Sequence, residues 1–188
     1  MRNRVENKYI NVNKSSTLKI IASEHFFENV YSRKISVGIV RSVMGIMAQK
    51  SFPKDSTTQA EKFILSDGYD AILVSRISAD KIMLINAFKS KSIKEQDGVT
   101  AIKVPLSNMI IKPSKHFVER FYKREVDLDL ISAVDKQIYS SSIGQPYVVS
   151  DGTNTMLATK ISHTTISLNT CYISGEMDWD DFLDRKIA

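Results

Sequence analysis

The sequence predicts an α+β protein built by tandem duplication of one small module, two helices packed on an antiparallel β-meander. Three observations predict it. A block that opens a helix occurs twice, a hairpin block follows each copy of it, and both copies share one order of strand, helix, helix and turn-separated strands.

The first pair of blocks is Ser23-Glu24-His25-Phe26-Phe27-Glu28-Asn29-Val30-Tyr31-Ser32-Arg33 and Ser114-Lys115-His116-Phe117-Val118-Glu119-Arg120-Phe121-Tyr122-Lys123-Arg124, where Ser, His, Phe, Glu, Tyr and Arg coincide in register. The second pair is Phe63-Ile64-Leu65-Ser66-Asp67-Gly68 and Tyr147-Val148-Val149-Ser150-Asp151-Gly152, reached through a shorter middle in the second copy. Beyond it Leu73 pairs with Leu157, Ile77-Ser78 with Ile161-Ser162 and Leu84 with Leu168. Collinear blocks separated by a single change of length are hard to obtain by chance.

Each element has a local cause. A short strand, Leu18 to Ile21 or Met109 to Ile111, leads into Ser23 or Ser114, whose side chain can cap a helix by accepting from an orphaned backbone N–H. In the first helix Phe26 and Val30, or Phe117 and Phe121, lie one turn apart on an apolar face, while His116, Arg120 and Arg124 form a polar stripe. A second helix, Val37 to Gln49 or Leu128 to Tyr139, carries apolar residues at helical period: Ile39, Val43 and Ile46, or Leu130, Ile131, Val134 and Ile138. Asp67-Gly68 and Asp151-Gly152 then supply the positive φ of tight hairpins, and Ser78 to Asp80 and Ser162 to Thr164 fill the next turns. Lys89 to Thr100 is polar and connects the copies, and Met177 to Ile187 reads as a short acidic helix. The expected organisation is a basic N-terminal arm (1–15), a first lobe (16–104), a second lobe (105–175) and an acidic C-terminal helix or tail (176–188), the lobes packed as a pseudo-twofold pair.

With 43% hydrophobic and 25% charged residues among 188, the composition is that of a folded globular chain, which sets disorder aside. The apolar run Ile35 to Ala48 is broken by Ser36, Gly38, Arg41 and Ser42, short of the roughly 20 residues a membrane span needs. The basic N-terminus is not followed by the apolar region of a signal peptide, so the expected location is the cytoplasm, that of the host cell if the chain is phage-encoded. Cys171 is the only cysteine, which leaves no internal disulfide and no Cys/His cluster for structural zinc. A net charge of +5 favours acidic partners such as RNA or DNA.

The Ser-x-His helix start, the Arg one turn after the His, the second Arg, Val126 beyond it and the Asp151-Gly152 hairpin make the second copy resemble the RegB endoribonuclease family of T-even phages. That family lies within a broader RelE/BrnT-like group of small RNA-cleaving proteins, whose members pair helices with an antiparallel sheet. The likeness covers about half of each copy. It implies metal-independent cleavage of single-stranded or messenger RNA, with no cofactor, a histidine at His116 and an arginine at Arg120. The second histidine of the phage enzymes falls on Lys136, a departure, and the other histidine of this copy is His163, in a turn. In the first copy Asn29 stands where Arg120 stands in the second, so that copy reads as degenerate.

The chemistry of the residues agrees in part. Cutting RNA without metal needs a base for the ribose 2′-OH, an acid for the leaving oxygen and cations around the phosphorane, and it yields a 2′,3′-cyclic phosphate. His116, near the positive end of a helix dipole, would stay neutral and act as base. Arg120 would meet the phosphate with its planar fork, and Lys136 or His163 would have to serve as acid. Arg124, Lys123, Lys115 and Tyr122 are the further substrate-binding candidates. A plainer reading stands beside each: a helix-start histidine bonded to a strand carbonyl, an arginine lattice with Glu119 and Glu125, core aromatics, a turn histidine and a solvated lysine. The leading expectation is an endoribonuclease acting on messenger RNA, presented by a ribosome or free. The rival is a non-catalytic RNA- or protein-binding regulatory factor, a host-takeover or inhibitor protein, built from degenerate ribonuclease modules.

Overall fold

The computed structural model describes residues 8–13, 17–49, 62–93, 99–139 and 141–173. The acidic segment Met177 to Ile187 and the first seven residues of the basic arm lie outside them. The fold is α+β, with ten strands in two five-stranded sheets and four α-helices among the described residues.

The chain runs β1 (Lys8–Asn11), β2 (Lys19–Ala22), α1 (Glu24–Ser32), α2 (Val43–Gln49), β3 (Lys62–Ser66), β4 (Asp70–Arg76) and β5 (Lys81–Lys89). It continues through β6 (Thr100–Lys103), β7 (Ile110–Pro113), α3 (Lys115–Arg124), α4 (Ile131–Ile138), β8 (Pro146–Ser150), β9 (Asn154–Lys160) and β10 (Thr165–Ile173). The capping serines act as the sequence predicts: Ser23 Oγ accepts from Phe26 N at 3.2 Å and Ser114 Oγ accepts from Phe117 N at 3.0 Å. Each expected second helix starts instead as a tight 3-10 turn, Val37–Ser42 or Leu128–Leu130, before α2 or α4. The cause is local. Ser36 or Asp127 caps the N–H two residues on, that of Gly38 at 3.2 Å or Asp129 at 3.0 Å, which tightens the entry.

Neither sheet is a pure antiparallel meander. The strands β3-β4-β5 and β8-β9-β10 are antiparallel, closed at Gly68 (φ 95°) and Gly152 (φ 88°), but each sheet gains a parallel strand at either edge. One sheet has the order β2-β5-β4-β3-β6 and the other β7-β10-β9-β8-β1. The registers correspond: Phe63 faces Thr100 where Tyr147 faces Lys8, and Lys19 faces Lys81 where Ile110 faces Thr165. Residues Lys8–Asn11, inside the expected basic arm, are therefore a sheet strand, because the exposed edge of β8 offers a row of unpaired N–H and C=O groups.

The edge strands cross between halves. β1 precedes the first helical unit yet pairs with β8 of the second, while β6 precedes the second unit and pairs with β3 of the first. Val12 N donates to Ser150 O at 2.7 Å and Val104 N to Ser66 O at 2.8 Å, closing the two crossings alike. The 3-10 caps add a second exchange, since Ser36 Oγ also accepts from Ile111 N at 3.0 Å and an Asp127 oxygen from Ile20 N at 2.9 Å.

One continuous hydrophobic core fills the space between the sheets, drawing Phe26, Phe63, Leu65 and Leu84 from one half and Phe117, Ile111, Val149 and Leu168 from the other. The α1 and α3 helices meet there through Phe27, whose ring lies edge-on to Phe121 at 5.4 Å and to Tyr122 at 5.9 Å. Amphipathic helices and half-buried sheets thus hide their apolar faces against each other. The opposite face of each sheet is left to Ile64 and Leu73, or Val148 and Leu157.

Candidate functional site

Each sheet carries a β-bulge at the same point of its longest strand. Between Leu84 and Asn86 the pairing with β4 skips a residue, as it does between Leu168 and Thr170 opposite β9. The freed carbonyls are used: Ser23 Oγ donates to Ile85 O at 2.8 Å and Ser114 Oγ donates to Asn169 O at 2.9 Å. A bulge re-aims the residues after it. Ala87 and Cys171 keep facing the core, so Asn86 and Phe88, or Thr170 and Tyr172, turn to the outer face.

The polar stripe of α1 and α3 runs beside those residues. In the first half Asn29 Nδ2 donates to His25 Nε2 at 2.9 Å, to His25 O at 3.0 Å and to Asn86 Oδ1 at 3.0 Å, its two hydrogens shared among three acceptors. His25 Nδ1 lies 3.5 Å from a Glu28 carboxylate oxygen. Arg33 Nη1 donates to Ala87 O at 3.1 Å. A pocket of about 230 Å³ opens there, lined by Arg33, Ile64, Leu73, Asn86, Phe88, Ser92 and Ile93. It lies in the half that sequence alone marks as degenerate.

In the second half the stripe is His116, Arg120 and Arg124, all half-buried. Arg124 Nη1 donates to Cys171 O at 3.0 Å and its guanidinium lies over the Tyr172 ring, 4.8 Å from the centroid. The Arg124 group is thereby partly committed to structure, as Arg33 is in the first half. Arg120 and Arg124 both lie near enough to Cys171 to pull its thiol down, but burial wins and pushes it up to about 12. Thr170 Oγ1 is buried and has no hydrogen-bond partner among the described residues. Such a hydroxyl costs about 1–3 kcal/mol unless a water or ligand reaches it.

The other candidates disperse. Tyr122 is taken up by the interface between halves, where its hydroxyl donates to Ser23 O at 2.7 Å, and burial, then Glu24, Glu28 and Tyr31, raise its pKa. Lys115 and Lys123 stand exposed on α3. His163 is exposed in the β9–β10 turn. Ile110 N bonds to Thr164 O and Ser114 N to Leu168 O, so the whole of β7, about 13 Å of strand, separates that turn from the start of α3. Lys136 belongs to α4, which packs on β8 and on the 3-10 turn Val37–Ser42, whereas α3 packs on β10, two strands away. Its side chain lies outside the described set.

Asn86, Phe88, Thr170 and Tyr172 were missed from sequence. Strict alternation from Leu84 or Leu168 puts Asn86 or Thr170 on the core face, and only the bulge reverses them. The one available signal was a polar residue two places after a core leucine in both copies. Among the described residues no group of three or more His, Cys, Asp or Glu side chains is placed to hold a metal ion, and no helix is long and apolar enough to cross a membrane. No family model, no curated protein and no solved structure matches the chain.

Proposed function

We propose that the chain is a tandem duplicate of a RelE-like module that binds single-stranded RNA as a regulatory factor without cutting it. The duplication is supported by the paired registers, the paired bulges and the paired Arg33 and Arg124 hydrogen bonds, all in corresponding positions. One observation carries the functional reading: α3 gathers cationic side chains, while the two residues considered as the acid, His163 and Lys136, belong to other elements. Arg120, Lys115 and Lys123 lie on that helix, but His163 is a strand length away and Lys136 is on a helix over β8. A base without an acid leaves the 5′-oxygen a poor leaving group, and phosphate contacts alone give binding.

The test is anisotropy of a labelled single-stranded RNA over a salt series, run beside a cleavage assay in EDTA. Binding that weakens steeply with salt, with the RNA intact, is expected. Charge removal at Lys115, Arg120 and Lys123 together should lower both affinity and salt slope. Intact RNA with no binding at any salt removes the RNA reading in favour of a protein partner. A second reading, the endoribonuclease, is favoured by His116 and Arg120 lying one turn apart beside the buried Thr170 strand. Scission by the wild type that His116→Ala abolishes would replace the binding reading with it.

A further inference from the structure

We propose that β1 is a releasable strap and that the β8 edge it vacates takes the β1 of a second copy of this chain, giving a strand-exchanged dimer. The two halves already trade edge strands. β8 receives Lys8–Asn11, which precedes the first helical unit, and β3 receives Thr100–Lys103, which precedes the second, both in parallel register. Each receiving edge thus takes a strand by its register and by what it buries, not by which segment of chain it follows. β1 meets both conditions wherever it comes from, with Ile10 entering the core and Tyr9 left 60% exposed. A second copy supplies the identical strand, so exchange re-forms the contacts of the monomer and closes after two chains.

The two crossings are not equally secure, and the difference singles out β1. Their closing bonds match, Val12 N to Ser150 O at 2.7 Å and Val104 N to Ser66 O at 2.8 Å. Ile10 is buried and its counterpart Ile102 half-buried, so the strands themselves do not favour β6. The loops after them do. Behind β6, Val104 and Met109 are 4% and 1% exposed, and Pro105 O accepts from Arg41 Nη2 at 3.0 Å. Their counterparts behind β1, Val12 and Leu18, are only partly buried, and the residue matching Arg41 is Ser132, whose hydroxyl turns to Asp129 instead. Among the described elements β1 is also joined to the fold on one side only, through the crossing to β2, whereas β6 lies between β5 and β7. A strand held at one end can leave without moving its neighbours. Its departure bares the backbone groups of Tyr147–Ser150, an edge that pairs with an extended strand of fitting register.

The experiment is amide hydrogen exchange of the full chain beside light scattering over a concentration series, after incubation just below the melting transition. The Val12 amide is expected to be protected about a hundredfold less than the Val104 amide, while the amides of the central strands β4 and β9 stay fully protected. A dimer should appear and grow with concentration. Ile10→Asp, whose strand cannot fill the apolar seat in either chain, should remain monomeric with β4 and β9 still protected. A labelled peptide of residues 7–13 should bind the wild type and, in excess, suppress the dimer; should Ile10→Asp lose its fold, this arm decides alone. Equal protection at Val12 and Val104, a wild type that is monomeric at every concentration, or a dimer that survives in folded Ile10→Asp or in excess peptide overturns the proposal.

Discussion

Replacing Asp127 by alanine should cost more stability than any exposed change in the molecule. The carboxylate is almost fully buried and serves both halves at once, accepting from Asp129 N within its own 3-10 turn and from Ile20 N on a strand of the other half. Alanine removes a cap, worth about 0.5–2 kcal/mol, and strands the fully buried Ile20 N–H, worth about 1–3 kcal/mol. The total is about 3 kcal/mol, which lowers Tm by roughly 6–12 °C at the roughly 2–4 °C per kcal/mol expected for this chain length. Asp127→Ser should recover most of that loss, because Ser36 does the same two tasks with a hydroxyl in the first half. Thermal unfolding by circular dichroism measures the stability, and hydrogen exchange at the Ile20 amide tests the cause. A Tm drop below about 2 °C, or Ile20 protection unchanged in Asp127→Ala, would show that the crossed bond does not contribute as argued.

Three further outcomes follow from geometry. Gly152→Ala forces a Cβ onto a residue at φ 88° and should destabilise by about 1 kcal/mol, whereas Gly45→Ala, in a helix with open space around the added carbon, should stabilise by a similar amount; paired thermal melts decide both. Cys171 should resist a thiol reagent at pH 8 in the native protein and react only as fast as the chain opens, so labelling that outruns unfolding contradicts its burial. Three acidic groups act at the alkaline limit: Cys171 and Tyr31 are each pushed up to about 12 from 9.0 and 10.0 and Tyr122 is raised further, so their stabilising contribution is full below those ordinary values and is lost as pH rises through the raised ones. The melting temperature should therefore fall above about pH 9, and Tyr31→Phe should lessen that fall; a flat profile to pH 11 contradicts the assignment.

What the sequence made legible was local. Ser23 and Ser114 cap helices, Gly68 and Gly152 turn hairpins, and the apolar faces of both helical blocks enter the core, because each depends on residues only a few positions apart. What it hid depended on distant partners. Nothing in Lys8–Asn11 or Thr100–Lys103 says that these four-residue strands pair with the opposite half, since that pairing is chosen by which sheet edge is left open. The bulges at Ile85 and Asn169 broke the alternation that would have found Asn86 and Thr170. The stripe His116, Arg120 and Arg124 was visible as a spacing, but its commitments were not: Arg124 bonds to a strand carbonyl, and Tyr122, on the same helix, bonds to the other half. The pocket at Asn86 escaped because its lining comes from the end of α1, from β3, β4 and β5 and from the turn after β5, which only the fold brings together.

The crossed edge strands also govern how the molecule can be dissected. A fragment beginning at residue 105 lacks the segment that completes its own sheet, and one ending before residue 100 leaves β3 bare while carrying a strand made for an absent neighbour. Either truncation should aggregate through its naked edge unless the complementary piece is supplied in trans. During synthesis the order is reversed as well: β1 emerges long before β8, so it has nowhere to dock until the second half has been made.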